Sequence, residues 1–243
     1  MPKQIEGQPT SAQVRADLAA AGRPVLVAFS GGKDSIAAAL ALREAGVETR
    51  LGYLWLIPGL RFVEDSLARL SDQLDQEIHQ YPHPSFYRWL NSLIFQPPER
   101  CAIIEAANFP SVDYADIWGV AREELGLDPD TWLADGVRSA DSPNRRAMIA
   151  SHGIVRQQLL KVSPVADWYV KDVRDCIKAH GVDLPVDYEW FGRSFDGLDY
   201  RFLKPLADHA PDDFRRVLEW FPLADLCLTR AAMMAPAVSA AVA

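Results

Sequence analysis

The stretch that most limits what this chain can fold into runs from Val25 to Gly46, VLVAFSGGKDSIAAALALREAG. Its apolar, partly β-branched start reads as a buried strand of a parallel sheet. Ser35 to Ala45 is rich in Ala and Leu, with Gly46 as a stop, and reads as a helix. Between them lies Ser30-Gly31-Gly32-Lys33-Asp34-Ser35. A strand, a glycine-rich turn and a helix form a geometry suited to anions. Glycines let the backbone approach an oxyanion, and the helix start adds roughly half a positive charge. Lys33 brings a full charge, and the Ser30 and Ser35 hydroxyls bring hydrogen bonds. Two common explanations fail. A Walker A loop needs Ser or Thr directly after its lysine, where this chain has Asp34, and the G-x-G-x-x-G dinucleotide pattern is absent.

The surrounding pattern points to an α/β fold. Thr10 and Ser11 are cap candidates for a helix ending at Gly22. VETRLGYLWL is a second strand, IPGL breaks it, RFVEDSLARLSDQLDQ is an amphipathic helix, and EIHQYP is a third strand. Alternating strands and helices predict a parallel α/β sheet with crossover helices on its flanks. In the aromatic middle, Pro97-Pro98 is expected to end the preceding helix, and SVDYADIWGVAREELGL to form another. TWLADGVRSADSPNRR reads as a short strand leaving the core into a polar loop. VSPVADWYVKDVRDCIKAHGV reads as a turn and a helix, with Asp167 as its N-cap and Gly181 as its stop. Asp212 to Met234 reads as helix and APAVSAAVA as a frayed tail. Trp55, Phe62, Trp89 and Trp118 are expected in the core, with Trp55 able to border an adenine.

Composition narrows the function classes. The 243 residues can bury a substantial core, and the formal net charge of −8 argues against bulk, sequence-blind nucleic-acid binding. Cys101, Cys176 and Cys227 are odd in number and widely spaced, which fits neither a disulfide framework nor a metal cage. No apolar run reaches membrane-spanning length. MPKQIEGQPT has no basic region followed by an apolar one, so no signal peptide is read there. The expectation is a protein of the reducing cytoplasm.

The turn SGGKDS resembles the SGGxDS pyrophosphate loop of the PP-loop ATP-pyrophosphatase superfamily. Gly136 to Arg145, GVRSADSPNR, resembles the G-[LIV]-R-x-x-x-S-x-x-R segment of its phosphoadenylyl-sulfate (PAPS) reductase-like branch. Lys161 to Val182 resembles the next segment of that branch, with its Pro-[LIV]-x-Asp-Trp pattern. GYLW, Gly52 to Trp55, stands where that branch carries an adenosine-side motif. The resemblance spans about residues 24 to 204, with a poorly matched insert at about 83 to 130. It implies a Rossmann-like, adenine-nucleotide α-hydrolase-like nucleotide-binding domain over residues 1–205, with residues 206–243 as a helical C-terminal extension of the same unit. It implies ATP as ligand, with Mg²⁺ accompanying it. Ser30, Gly31, Gly32, Lys33, Asp34 and Ser35 would hold the phosphates. Tyr53 and Leu54 would border the adenosine side, Gly136 would also contact the nucleotide, and Ser142 would help the two arginines enclose its phosphate or sulfate end. Lys33, Arg138 and Arg145 would be the catalytic cations, the two arginines aiming planar forks at an anion. Asp34 would be a helix-start acid, a group near the Mg²⁺, or both, since the two roles are compatible.

The chain departs from that branch in its sulfur chemistry. It lacks the C-terminal E-C-G-[LI]-H nucleophile segment and the paired cysteines of an iron–sulfur cluster, so no cluster is expected from this chain alone. Cys227, in ADLCLTR, reads as a core residue. The implied reaction is adenylation: attack of an unidentified acceptor at the α-phosphate with release of pyrophosphate. The rivals are a PAPS or APS reductase relying on an external thiol, and a catalytically silent nucleotide sensor or accessory subunit. A protein partner supplying a thiol or the acceptor, and assembly with copies of itself, are left open. His83, between Pro82 and Pro84 at the end of the third strand, is a substrate-contact candidate. Asp196 and Asp199 in DGLDYR are candidates for a metal or an acceptor, or else a solvated turn.

Overall fold

A computed structural model describes residues 7–234 of the chain; the APAVSAAVA tail lies outside them. The first helix, α1 (Ser11–Ala21), starts where Thr10 accepts from the Gln13 N–H and ends on Gly22 in the left-handed conformation. β1 (Val25–Ala28) leads through the glycine turn into α2 (Lys33–Glu44), two residues earlier than the composition suggested. β2 (Thr49–Trp55), α3 (Arg61–Leu74) and β3 (Ile78–Pro82) come next, as expected.

The middle of the chain departs from expectation. α4 (Pro84–Asn91) ends well before Pro97-Pro98, and Pro98 instead opens α5 (Pro98–Ala107), where a missing N–H costs nothing. α6 (Tyr114–Glu124) begins on an Asp113/Asp116 capping box. β4 (Leu133–Ala134) does leave the core into a loop, but the expected polar loop turns helical at α7 (Pro143–His152). Two further strands, β5 (Val155–Arg156) and β6 (Lys161–Val162), form an antiparallel pair.

α8 (Val170–Ala179) is capped at Tyr169, not Asp167, although Gly181 does follow its end with positive φ. The Asp167 carboxylate accepts from the Ser11 N–H at 2.9 Å and so serves the start of α1. The chain closes with α9 (Asp187–Trp190), α10 (Tyr200–His209), α11 (Pro211–Trp220) and α12 (Leu226–Met234). The expected single helix from Asp212 to Met234 is therefore two, separated at Phe221.

Among the described residues the sheet has six strands in the order β3-β2-β1-β4-β6-β5, parallel except for β5. This is a Rossmann-like α/β architecture. One face presents Val25, Val27, Leu51, Ala134 and Val162 to a core shared with α2, α3 and α8. The C-terminal helices join it through Leu206, Val217 and Phe221. The other face presents Leu26, Tyr81 and Leu133 to Ile117 and Trp118 of α6. Gly52 is needed there, because a Cβ on it would lie 2.7 Å from the Trp118 ring. No helix among the described residues is long and apolar enough to cross a membrane.

The strand order fixes where a ligand can sit. The chain winds from β1 to β2 to β3 in one direction, then returns to place β4 on the other side of β1. Such a switch point opens a crevice beyond the C-terminal strand ends. The turn after β1 and the connection after β4 both border it.

Candidate functional site

The crevice is a cleft of about 710 Å³ walled by residues from the β1, β2 and β4 ends, from α6 and from the segment after α8. Its floor is the glycine turn. Gly31 adopts φ +67°, which reverses the chain tightly. Ser35 Oγ accepts from the Ser30 N–H at 3.1 Å and donates to the Gly32 carbonyl at 2.9 Å, so the buried serine braces the turn from inside. Gly32 is the N-cap of α2 and offers no side chain of its own to the first N–H groups.

The charges of the site form a chain. Lys33 Nζ donates to Asp34 Oδ2 at 2.7 Å, and Arg138 Nε donates to Asp34 Oδ1 at 2.8 Å. Arg138 also donates to Asp141 through Nη2 and to the Trp168 carbonyl. Two cations thus alternate with two carboxylates. Gly136 sits beside this chain because a Cβ there would lie 2.7 Å from the Asp34 carbonyl carbon and 2.8 Å from the Ser35 nitrogen. Only a glycine lets the β4–α7 connection press against the first turn of α2. Asp135, one residue earlier, accepts from Arg156 at 2.6 Å and Ser163 at 2.6 Å, which ties the β4 end to the β5–β6 pair.

At the end of β3, His83 Nδ1 accepts from the Ser85 N–H at 3.0 Å and caps α4. That bond leaves the ring proton on Nε2, which donates to the Tyr114 hydroxyl at 2.9 Å. Burial, the largest influence, pushes the His83 imidazole below its ordinary value and the Tyr114 phenol above its own. Burial likewise raises Tyr53 at the end of β2, with Asp187 adding to it.

The expected residues divide into two groups. Ser30, Gly32, Lys33, Asp34, Ser35, Tyr53, Leu54, His83, Gly136, Arg145 and Asp196 line the one cleft. Gly31 shapes the turn from behind. Arg138 differs from expectation: its side chain is only 4% exposed and its fork is spent on Asp34 and Asp141, so it positions the turn and does not face a ligand. Ser142 is the N-cap of α7, accepting from the Arg145 N–H at 3.1 Å. Asp199 is the N-cap of α10. Trp55 packs edge-on against Phe86, away from the cleft wall. Asp34 stands in the first turn of α2, as a helix-start acid does, and both its oxygens are engaged by cations.

The described residues do not fit a protein-held Mg²⁺. Both Asp34 oxygens are already engaged by cations, and no group of three or more His, Cys, Asp or Glu is arranged to hold a metal.

No protein-family model matches the chain, and no curated protein matches it. Among solved structures, one similar chain is described as a predicted subunit of tRNA methyltransferase from Methanocaldococcus jannaschii. It is 20% identical, with 64% of this chain and 74% of that chain covered, at a TM-score of 0.34. A likeness that low decides nothing about function.

Several cleft residues escaped the sequence reading. Tyr114 falls in the poorly matched insert. Lys161 lines the cleft from the short strand β6. Tyr188, Arg193, Ser194 and Phe195 arrive from a stretch with no motif of its own. The density of aromatic residues there, YEWFGRSF, is the signal in the sequence that sets it apart from a solvated turn.

Proposed function

We propose that the chain binds ATP or a related adenine nucleotide in this cleft and acts at its α-phosphate. An acceptor oxygen bonds to the α-phosphorus, the bond to the bridging oxygen breaks, and pyrophosphate leaves. The observation that carries this reading is that the SGGKDS turn borders a cleft at the β1/β4 switch point, together with Gly136 and Arg145 of the second matching segment. Pyrophosphate would lie on the turn, where the α2 N–H groups and Lys33 stabilise its developing charge. Leu54, Trp118 and Leu133 give the cleft an apolar wall suited to an adenine. Arg145, which makes no ion pair among the described residues, would close the anionic side.

The test is to incubate the protein with ATP, Mg²⁺ and candidate acceptors and to measure AMP and pyrophosphate, in wild type and Lys33→Ala. Product from the wild type alone supports adenylation. Binding without product under every acceptor leaves a nucleotide sensor.

A second reading, a sulfonucleotide reductase, is shaped by the cysteines. None of Cys101, Cys176 and Cys227 lines the cleft, and burial pushes the Cys176 thiol up to about 11. That reading needs a thiol from a partner, and sulfite release from PAPS with thioredoxin present would favour it.

A further inference from the structure

The segment Pro185 to Asp196, PVDYEWFGRSFD, lies directly over the glycine turn. It is closed by its own hydrogen bond and anchored by aromatic contacts. The buried Asp187 carboxylate accepts from the Phe195 N–H at 2.8 Å, closing the segment on itself. Phe195 packs edge-on against Phe62 of α3 at 5.6 Å and Phe202 of α10 at 5.5 Å. Trp190 packs against Phe62 at 5.4 Å. Aromatic pairs of this kind add to the area they bury.

Two hydroxyls project from this anchored segment to the turn. Tyr188 Oη accepts from the Lys33 N–H, the first N–H of α2, at 2.9 Å. A Cβ on Gly32 would lie 2.6 Å from Ser194 Oγ and 3.3 Å from Tyr188 Oη, so the segment and the turn meet with no room for a side chain. A phenol oxygen that accepts a hydrogen bond still has its own hydrogen to donate. The Tyr188 hydrogen has no acceptor among the described residues, and Ser194 Oγ makes no hydrogen bond there. Both side chains line the cleft, as does Arg193.

From this geometry we infer that residues 187–196 are the second jaw of the anion site: a pyrophosphate or triphosphate in the cleft, alongside the Ser30–Ser35 turn where this segment meets it, is held by the Tyr188 and Ser194 hydroxyls as well as by the turn. The inference rests on the nucleotide reading above and adds residues that none of its motifs contains. Tyr188 does not block the turn in this arrangement. It takes the polarity of the Lys33 N–H and presents it further into the cleft as an O–H donor. The aromatic anchors hold both hydroxyls on the cleft wall beside the turn, where a ligand in the cleft meets them. The jaw favours ligands with several oxyanion groups, which can meet donors on both sides, over a single carboxylate.

The experiment is isothermal titration calorimetry of the full chain with inorganic pyrophosphate, for wild type, Tyr188→Phe, Ser194→Ala and the double variant. Tyr200→Phe, an exposed tyrosine outside the cleft, is the control. Each single variant is expected to bind about tenfold more weakly, the loss of one hydrogen bond to a charged group, and the control to bind as wild type. Circular dichroism of the ligand-free proteins checks that each is folded. If Tyr188→Phe does not fold, Ser194→Ala decides. Equal affinity in wild type and variants overturns the jaw and leaves the nucleotide reading standing. Tighter binding by Tyr188→Phe overturns it too, since the hydroxyl would then be a plug. Absence of pyrophosphate binding by the wild type overturns both.

Discussion

Asp34 Oδ1 accepts a hydrogen bond from Arg138 Nε at 2.8 Å, across 104 residues of chain. The acid stands in the first turn of α2, where it also favours the positive end of the helix. The arginine stands in the connection after β4. Their bond joins the two walls of the switch-point crevice, and Asp141 completes the balance on the far side of Arg138. The pairing explains how an almost fully buried guanidinium is tolerated.

Arg138→Met removes the cation that Asp34 and Asp141 share; Asp34 keeps Lys33, and Asp141 loses its partner. The expected loss is about 3 kcal/mol of stability, the scale of breaking a buried pair. Urea unfolding measures it. A loss below about 1 kcal/mol, the scale of an exposed pair, would mean that Arg138 does not hold the crevice together.

Gly136→Ala places a methyl group against the backbone of Asp34 and Ser35, with no flexible side chain to yield. The expected cost is about 1–3 kcal/mol from overpacking. Displacing the first turn of α2 also disturbs the proposed anion site, so pyrophosphate affinity should fall with stability. Gly46→Ala, where a Cβ meets nothing within 4 Å but φ is +82°, is the comparison. It should cost stability from backbone strain while leaving affinity unchanged, as melting and titration on both variants will test.

The His83 pair predicts a pH dependence of stability. Burial holds the folded-state imidazole below its ordinary value of 6.5, with Asp196 opposing and Arg88 reinforcing the shift. Between the depressed value and 6.5 the unfolded chain binds a proton that the folded chain refuses. The contribution is therefore fully present above pH 6.5 and is lost as pH falls through that window. His83→Asn keeps an acceptor for the Ser85 N–H at the start of α4 but does not titrate. Unfolding free energies at pH 7.5 and 5.5 should differ more in wild type than in the variant. An equal difference would show that His83 titrates alike in both states.

Asp167→Ala tests the junction between α1 and the turn before α8. It leaves the buried Ser11 N–H without its acceptor, and about 1–2 kcal/mol should be lost, as for a missing cap. Denaturant midpoints for Asp167→Ala and Asp167→Asn separate the capping oxygen from the charge.

The chain is legible in sequence where its structure is local. Thr10 and Gly22 bound α1, and the winding from β1 to β3 follows from hydrophobic period and turn residues within each element. The glycine turn announces itself for the same reason. β5 and β6 are two residues each and are held by pairing to one another and to β4, which no local period reveals. Asp167 has the residue type of a cap, but the helix it serves lies 156 residues away. A resemblance in GVRSADSPNR suggested an anion-binding role for Arg138, while its partners Asp34 and Asp141 give it a positioning role at the turn. Tyr188 belongs to the cleft only through α3 and α10, whose aromatic side chains carry its segment there.

The most direct measurement of the central claim is calorimetric titration of ATP with Mg²⁺ into wild type and Lys33→Ala, with GTP as control ligand. Wild type should bind ATP and not GTP, and Lys33→Ala, folded, should lose about tenfold or more in affinity, as expected for a contact to a charged group. ATP binding of equal strength in wild type and Lys33→Ala would contradict the claim that the SGGKDS turn is the nucleotide site.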